Sequence, residues 1–169
     1  TFNLIDTYVT DDYFGLLDDN EGADVTNTAT QKIDLGIGRI PCSDAQQAQI
    51  AVDKIKMYYS KEAFGDWRDQ ATYIADDEDF NIHLGQAELS ASILNYSIKK
   101  INIDKIYLDA YTQQAGTSGA RYPAVNEAIN NKVQKGTLFM NYSGHGGPFG
   151  LAEEAILTLN DIASWTNAT

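Results

Sequence analysis

The sequence predicts an α/β domain in which a parallel sheet carries flanking helices. Short apolar runs alternate with longer stretches of helical spacing, in the order β-α-β-α-β-α-β. The chain has 169 residues, of which 43% are hydrophobic and 21% charged, enough for one domain with a real core. Acidic or glycine-rich segments follow two of the predicted strands, at the ends where parallel sheets usually bind ligands.

Each element follows from a local pattern. Apolar runs that end at polar or glycine-rich residues predict strands over residues 34–42, 71–77, 104–109 and 137–142. Apolar residues at helical spacing, with capping residues before them or lysines at their ends, predict helices. These helices cover residues 44–62, 83–100, 123–134 and a short stretch near 159–165. The first thirty residues are polar and punctuated by glycine, which predicts loop.

The composition argues against several classes of protein. Twelve basic and twenty-four acidic residues give a net charge of −12, so neither nucleic acid nor an anionic membrane surface is expected as the main partner. Cys42 is the single cysteine, so an internal disulfide is excluded. No apolar stretch reaches the length that spans a bilayer.

His145 lies in a glycine-rich loop, residues 142–148, directly after a predicted strand. Gly144, Gly146 and Gly147 leave the imidazole uncovered and leave backbone N–H groups free to bind a substrate oxygen. Such a position suits a general acid or base near neutral pH. The alternative is a loop histidine with a local hydrogen bond, and the flanking glycines favour the catalytic interpretation.

Four adjacent acids, Asp76, Asp77, Glu78 and Asp79, follow another predicted strand. One of them could orient the imidazole of His145, as the third member of a catalytic triad does. They could instead hold a hard cation such as calcium, or form a solvated acidic turn. A second acidic cluster, within residues 11–24, lacks the ligand spacing of an EF-hand loop.

No nucleophile stands beside His145 in the sequence. Cys42 follows a predicted strand and precedes a helix, where the pKa of a thiol can fall, but a small buried apolar role is the simpler interpretation. Ser143 is too close to His145 in the chain for both to face one substrate. His83, at the start of a predicted helix, is interpreted as a partly buried packing residue. A zinc site would need carboxylate ligands beside these two histidines and one cysteine.

Three segments of the sequence resemble the gingipain family of cysteine peptidases, clan relatives of the caspases. They are DLGIGRIPCSDAQQAQIAVDKIKMYY from residue 34, ATYIADDED from residue 71 and NYSGHGG from residue 141. The likeness covers residues 8–150. It implies part of a caspase-like gingipain catalytic domain, with the end of a first subdomain over 1–68 and the first half of the caspase-like subdomain over 69–169. No cofactor is expected, although calcium at the acidic clusters stays open.

The resemblance also assigns roles to single residues. The catalytic histidine of the family matches His145, and its supporting acid falls at Glu78, with Asp77 as the neighbouring candidate. The family's nucleophilic cysteine follows the histidine, and no cysteine follows His145 here. We therefore expect a truncated piece that is inactive alone. Leu84 falls near the position where arginine-specific members carry an acid, so a basic substrate side chain would lack its counter-charge.

The likeness extends to the sortase-type members of the family, which act in the type IX secretion system of the Bacteroidota. It implies an enzyme that cleaves or transpeptidates the C-terminal sorting domains of secreted proteins through a Cys–His acyl-enzyme mechanism. The expected location is the surface of a Gram-negative bacterium, with other secretion-system components as partners. Two other interpretations stay open: a non-catalytic α/β binding domain of a secretion or cell-surface protein, and a calcium-dependent structural domain.

Overall fold

The computed structural model divides the chain into two compact units, Thr1–Tyr59 and Ser60–Thr169. It describes residues 11–19, 21–22, 32–117 and 119–166. Within these ranges, none of the helices combines the length and the apolar character that crossing a bilayer requires.

The first unit contains helix α1 (Ala45–Tyr58), within the range predicted for it. The carboxylate of Asp44 accepts a hydrogen bond from the backbone N–H of Gln47 and caps the helix. The loop predicted for the first thirty residues lies largely outside the described residues. Its described part holds a 3-10 turn at Asp12–Gly15.

The strand predicted over residues 34–42 is wrong, because this segment has no regular structure. Two glycines and Pro41 lower its β propensity, and the described residues offer it no neighbouring strand. A side-chain interaction, and not strand pairing, holds the segment in place. Arg39 forms a bidentate ion pair with Asp11, and this hydrogen bonding holds the pKa of Asp11 below its ordinary value.

The second unit is built on a parallel three-stranded sheet. Its strands are β1 (Gln70–Ala75), β2 (Asn102–Tyr107) and β5 (Phe139–Ser143), in the order β2-β1-β5. The other three predicted strands are therefore confirmed, with ends displaced by one or two residues. The three helices of the unit are also confirmed: α2 (Ile82–Ser97), α3 (Pro123–Lys135) and α4 (Leu159–Ser164).

Short elements complete the second unit, and the sequence had indicated only loop for most of them. Strands β3 (Gln114–Gly116) and β4 (Gly119–Arg121) form an antiparallel hairpin. A second antiparallel sheet contains β6 (Gly146–Gly147), β7 (Gly150–Leu151) and β8 (Leu157–Thr158). Short 3-10 turns lie at Lys61–Ala63, Asp66–Asp69, Asp79–Asn81 and Leu108–Ala110.

Strand β1 is the centre of the second unit and is buried on both faces. Because successive side chains of a strand alternate between faces, Ala71 and Tyr73 pack with Ala91 of α2, whereas Ile74 packs with the α3 side. The apolar run of β1 is therefore that of a strand covered by helices on both faces. The larger core cluster lies under α3 and includes Ile129, which is fully buried.

Replacing Ile129 by alanine should lower the free energy of unfolding of the second unit by about 2–5 kcal/mol, because it removes buried methyl groups and leaves a cavity. Ile93→Ala is the matched control, since Ile93 also lies in a helix but is 58% exposed. Urea unfolding of the two variants measures the difference. Equal losses in both variants would contradict the assigned core.

Candidate active site

The candidate site lies where β1 and β5 end side by side. Both strands run in the same direction, and Ala75 is paired with Ser143 at their last register position. The backbone N–H of Asp76 extends this ladder by donating to the carbonyl of Ser143 over 3.0 Å. The chain leaves β1 towards β2 on one side while β5 lies on the other, so this is the switch point at which such sheets bind ligands.

The backbone of His145 is fixed by three hydrogen bonds. Its N–H donates to Asp76 Oδ2 over 2.9 Å. Its carbonyl accepts from the hydroxyl of Tyr142 over 2.6 Å and from the backbone N–H of Ala152 over 2.8 Å. The loop that carries the imidazole is therefore held to the sheet edge and to the turn after β7.

Three carboxylates surround the imidazole of His145. The ring atom Nδ1 lies 3.3 Å from Asp76 Oδ2 and 3.3 Å from Glu78 Oε2. The ring atom Nε2 lies 3.2 Å from Asp79 Oδ2. Among these described pairs, the Asp76 contact has hydrogen-bond geometry. The side chain of His145 is 44% exposed, so a substrate can reach it.

These carboxylates raise the pKa of His145 above its ordinary value. The hydrogen bond that the imidazolium donates to Asp76 contributes most, partial desolvation opposes it, and the charges of Asp79, Asp76 and Glu78 add to the rise. The pKa of Glu78 is also raised, first by desolvation and then by the charges of Glu153 and Asp76. The site therefore favours the protonated, imidazolium form of His145 and surrounds it with negatively charged carboxylates.

Asp76 is the acid most firmly held against His145, since it is 1% exposed. Its Oδ1 accepts the backbone N–H of Asp77, and its Oδ2 faces both the main-chain and ring nitrogens of His145. Burial and hydrogen bonding restrict its rotamer, as expected of a residue that orients a catalytic imidazole. The sequence had included Asp76 among the four acids but had not singled it out.

The two predicted acids occupy different surroundings. Glu78 is brought to His145, as its contact with Nδ1 indicates, but its side chain is 39% exposed. Asp77 is directed elsewhere: its Oδ2 accepts the hydroxyl hydrogen of Tyr122 over 2.6 Å. Burial and the charge of Asp77 raise the pKa of that tyrosine above its ordinary range.

The three loop glycines have different surroundings. A Cβ at Gly144 would lie 2.3 Å from the hydroxyl oxygen of Tyr142 and 2.5 Å from Cβ of Asp76, so only glycine fits at this point. Gly146 and Gly147 form β6 and pair with β7. Their role as donors to a substrate oxyanion stays a prediction.

His83 is a further residue that the structure brings to the site. Its ring lies 4.9 Å from that of His145 in an edge-on arrangement, and its Nε2 lies 3.5 Å from Asp79 Oδ2. The 3-10 turn that carries Asp79 has positive φ at Asp79, Phe80 and Asn81, a strained conformation of the kind found at functional sites. The packing interpretation of His83 had placed it in the helix but not beside His145.

Cys42 does not belong to the unit that holds this site. It lies in the first unit, just before α1, and it is exposed. Its interpretation as a buried apolar residue is therefore wrong. The segment that carries it has no regular structure, and α1 itself buries no residue.

The second unit holds an accessible imidazole against a buried carboxylate. This pair of groups is typical of hydrolases that use a histidine as general base. A family model described as peptidase family C25 matches residues 1–169. The chain belongs to this family, the gingipain family of cysteine peptidases. No curated protein and no solved structure matches the chain significantly.

The predicted fold class, a parallel sheet with flanking helices, is confirmed and agrees with a caspase-like gingipain domain.

Proposed function

We propose that His145 is the general base and general acid of a gingipain-family cysteine peptidase, and that Asp76 orients it. The observation that carries this proposal is the hydrogen-bond geometry between Nδ1 of an exposed imidazole and a buried carboxylate. In this position, the Asp76 carboxylate favours a proton on Nδ1 of the His145 ring. The other ring nitrogen, Nε2, can then exchange protons with the reactants. Glu78 is a second, more exposed carboxylate that adds negative charge beside Nδ1.

The reaction is acyl transfer through a cysteine. His145 takes the thiol proton, the thiolate attacks the peptide carbonyl, and the tetrahedral oxyanion is bound by backbone N–H groups near Gly146 and Gly147. The imidazolium then gives its proton to the departing amine, and an acyl-enzyme remains. Water resolves it in a peptidase, and an amine resolves it in a transpeptidase.

The nucleophile of this proposal is a cysteine encoded beyond Thr169. Cys42 is the single cysteine of these residues, and it precedes His145, whereas the resemblance to gingipains implies a nucleophile that follows the histidine. The 169 residues alone would then be inactive. In this arrangement residues 1–68 end the first gingipain subdomain, and residues 69–169 begin the caspase-like one.

We further propose a sortase-type activity like that of PorU, the gingipain-like sortase of the type IX secretion system. The NYSGHGG and ATYIADDED segments carry the likeness, and Leu84 stands near the position where arginine-specific members carry an acid. The substrates would be the C-terminal sorting domains of secreted proteins. The location would be the outer surface of a Gram-negative cell, beside other secretion-system components.

The test is thiol trapping on a form of the protein that continues past Thr169. A peptidyl acyloxymethyl ketone is added, and intact mass reports the label. We expect labelling that requires His145, survives Cys42→Ala and is abolished by His145→Ala. Labelling only at Cys42, or none, would overturn the catalytic proposal and favour the non-catalytic binding domain.

A second measurement separates the sortase proposal from simple hydrolysis. A peptide that spans the boundary of a C-terminal sorting domain is incubated with the same protein and an added primary amine, such as glycine amide. A transpeptidase gives the amide adduct in addition to the hydrolysed product. Hydrolysis alone across a range of amine concentrations would contradict the sortase assignment and leave the peptidase assignment intact.

A further inference from the structure

A group of three carboxylates shares one member, Asp76, with the candidate active site, and the proposed mechanism does not use the other two. Asp76, Asp77 and Glu154 each offer an oxygen within 4.8 Å of the other two. Asp76 is 1% exposed and Glu154 is 6% exposed, while Asp77 is half-buried. Three acids so close together at this depth repel one another unless a cation or protons neutralise them.

The fold brings these acids together from two loops. Asp76 and Asp77 leave the end of β1, whereas Glu154 lies in the turn between β7 and β8. Ala152 and Ala155 have φ values of +59° and +53°, so the turn takes a strained left-handed conformation on both sides of Glu154. The neighbouring Glu153 is exposed.

The hydrogen bonds of the group leave two buried oxygens without a donor. Glu154 Oε1 accepts the side-chain amide of Gln113 over 2.9 Å, and Asp77 Oδ2 accepts the hydroxyl of Tyr122. Glu154 Oε2 and Asp77 Oδ1 are buried and have no hydrogen-bond partner among the described residues. Since buried polar atoms are nearly always paired, these two oxygens point to a missing ligand.

We propose that Asp76, Asp77 and Glu154 bind a calcium ion. All the donor atoms are carboxylate oxygens, the ligands of hard cations, and neither sulfur nor an imidazole nitrogen is needed. Calcium accepts irregular geometry, whereas magnesium demands a near-ideal octahedron and retains waters, which a group this deeply buried admits poorly. The site shares Asp76 with the proposed peptidase function, but calcium binding itself requires neither a nucleophile nor a substrate and can be tested separately.

The ion would tie the turn after β7 to the end of β1. Asp76 would then be held by calcium and by His145 together, and Glu154 would hold the segment that also binds the carbonyl of His145 through Ala152. Calcium is thereby expected to stabilise the second unit as a ligand of its folded state.

Terbium luminescence tests the site on the chain as it exists. Terbium replaces calcium at oxygen sites, and Tyr122, whose hydroxyl contacts Asp77, can transfer excitation energy to it. After treatment with EDTA, the protein should give tyrosine-sensitised emission that calcium displaces and that magnesium at the same concentration does not. Glu154→Gln should weaken calcium binding at least tenfold, whereas Glu153→Gln, the adjacent exposed acid, should leave it unchanged.

Other outcomes would overturn the proposal. Emission retained in Glu154→Gln would place the ion elsewhere, for example at the group Asp18, Glu21 and Asp34. No calcium-dependent change in emission or melting temperature of the wild-type chain would mean that the three acids bind no calcium. Displacement by magnesium as effective as that by calcium would overturn the choice of ion. Asp77→Asn provides a second variant if circular dichroism finds Glu154→Gln unfolded, and the same tenfold loss is expected of it.

Discussion

Replacing Asp76 by asparagine should lower the pKa of His145. The variant keeps the size of the side chain but removes the charge that stabilises the imidazolium through its hydrogen bond. The chain has only two histidines, so an NMR titration resolves both imidazoles, and a His83→Gln variant assigns them. In the form of the protein that carries the nucleophile, we expect turnover to fall about 10²–10⁴-fold, the range that a correctly positioned acid–base group provides.

Two neighbouring variants serve as matched controls. In protein freed of calcium by EDTA, Asp77→Asn should leave the pKa of His145 nearly unchanged, because the carboxylate of Asp77 contacts Tyr122. Glu78→Gln should lower it less than Asp76→Asn does, because the Glu78 side chain is 39% exposed and its charge is better screened. A larger effect of Glu78→Gln than of Asp76→Asn would transfer the orienting role to Glu78.

The same interaction makes stability depend on pH. Because the pKa of His145 is raised in the folded state, the imidazolium stabilises that state fully below the ordinary pKa of about 6.5. This contribution is lost as the pH rises through the raised, folded-state value. Asp76→Asn should therefore flatten this part of the stability profile, as measured by urea unfolding on both sides of neutrality.

Gly144→Ala should destabilise the second unit by about 1–3 kcal/mol or more, the usual cost of overpacking. The added methyl group would meet the Tyr142 hydroxyl at 2.3 Å and Cβ of Asp76 at 2.5 Å, and both groups are held by hydrogen bonds. Relief of this clash must move the loop or Asp76. The NMR signals of His145 should therefore shift together with the loss in free energy of unfolding.

Gly85→Ala is the control for the added methyl group. Gly85 lies in α2, and a Cβ there would meet nothing within 4 Å. Alanine also favours the helix, so we expect this variant to be stabilised by about 0.5–1 kcal/mol. If both alanines gave the same small change, the close approach at Gly144 would not be a feature of the folded protein.

Much of the second unit could be predicted from sequence because its elements have strong local patterns. The apolar run of β1, buried on both faces, and the helical spacing of α2 and α3 each depend on a few neighbouring residues. The strand predicted over residues 34–42 was wrong because a short apolar run forms a strand only where another strand can pair with it. The sequence of residues 34–42 does not indicate whether a neighbouring strand is present.

The candidate site was predictable in position but not in atomic detail. Parallel strand ends meet at one edge, so the acids after β1 were expected near His145. The bend of the chain after Ala75 determines which acid is buried. A run of four adjacent acids does not indicate which one that is. Asp76 is two residues beyond buried Ile74 and continues its face, but both faces of β1 are buried, so this alternation does not single out Asp76. Glu154 gave no signal either, because its burial depends on a strained turn.

The tautomer of neutral His145 tests whether Asp76 orients this imidazole as the catalytic base. Long-range ¹H–¹⁵N correlation spectra, recorded above the pKa of His145, report which ring nitrogen carries the remaining proton. Nδ1 faces the buried Asp76, whereas Nε2 faces Asp79, whose side chain is 59% exposed and well solvated. We predict a proton on Nδ1 and a bare Nε2, ready to accept the proton of a thiol. A neutral form protonated mainly on Nε2 would contradict the assignment of Asp76 and His145 as the orienting acid and base.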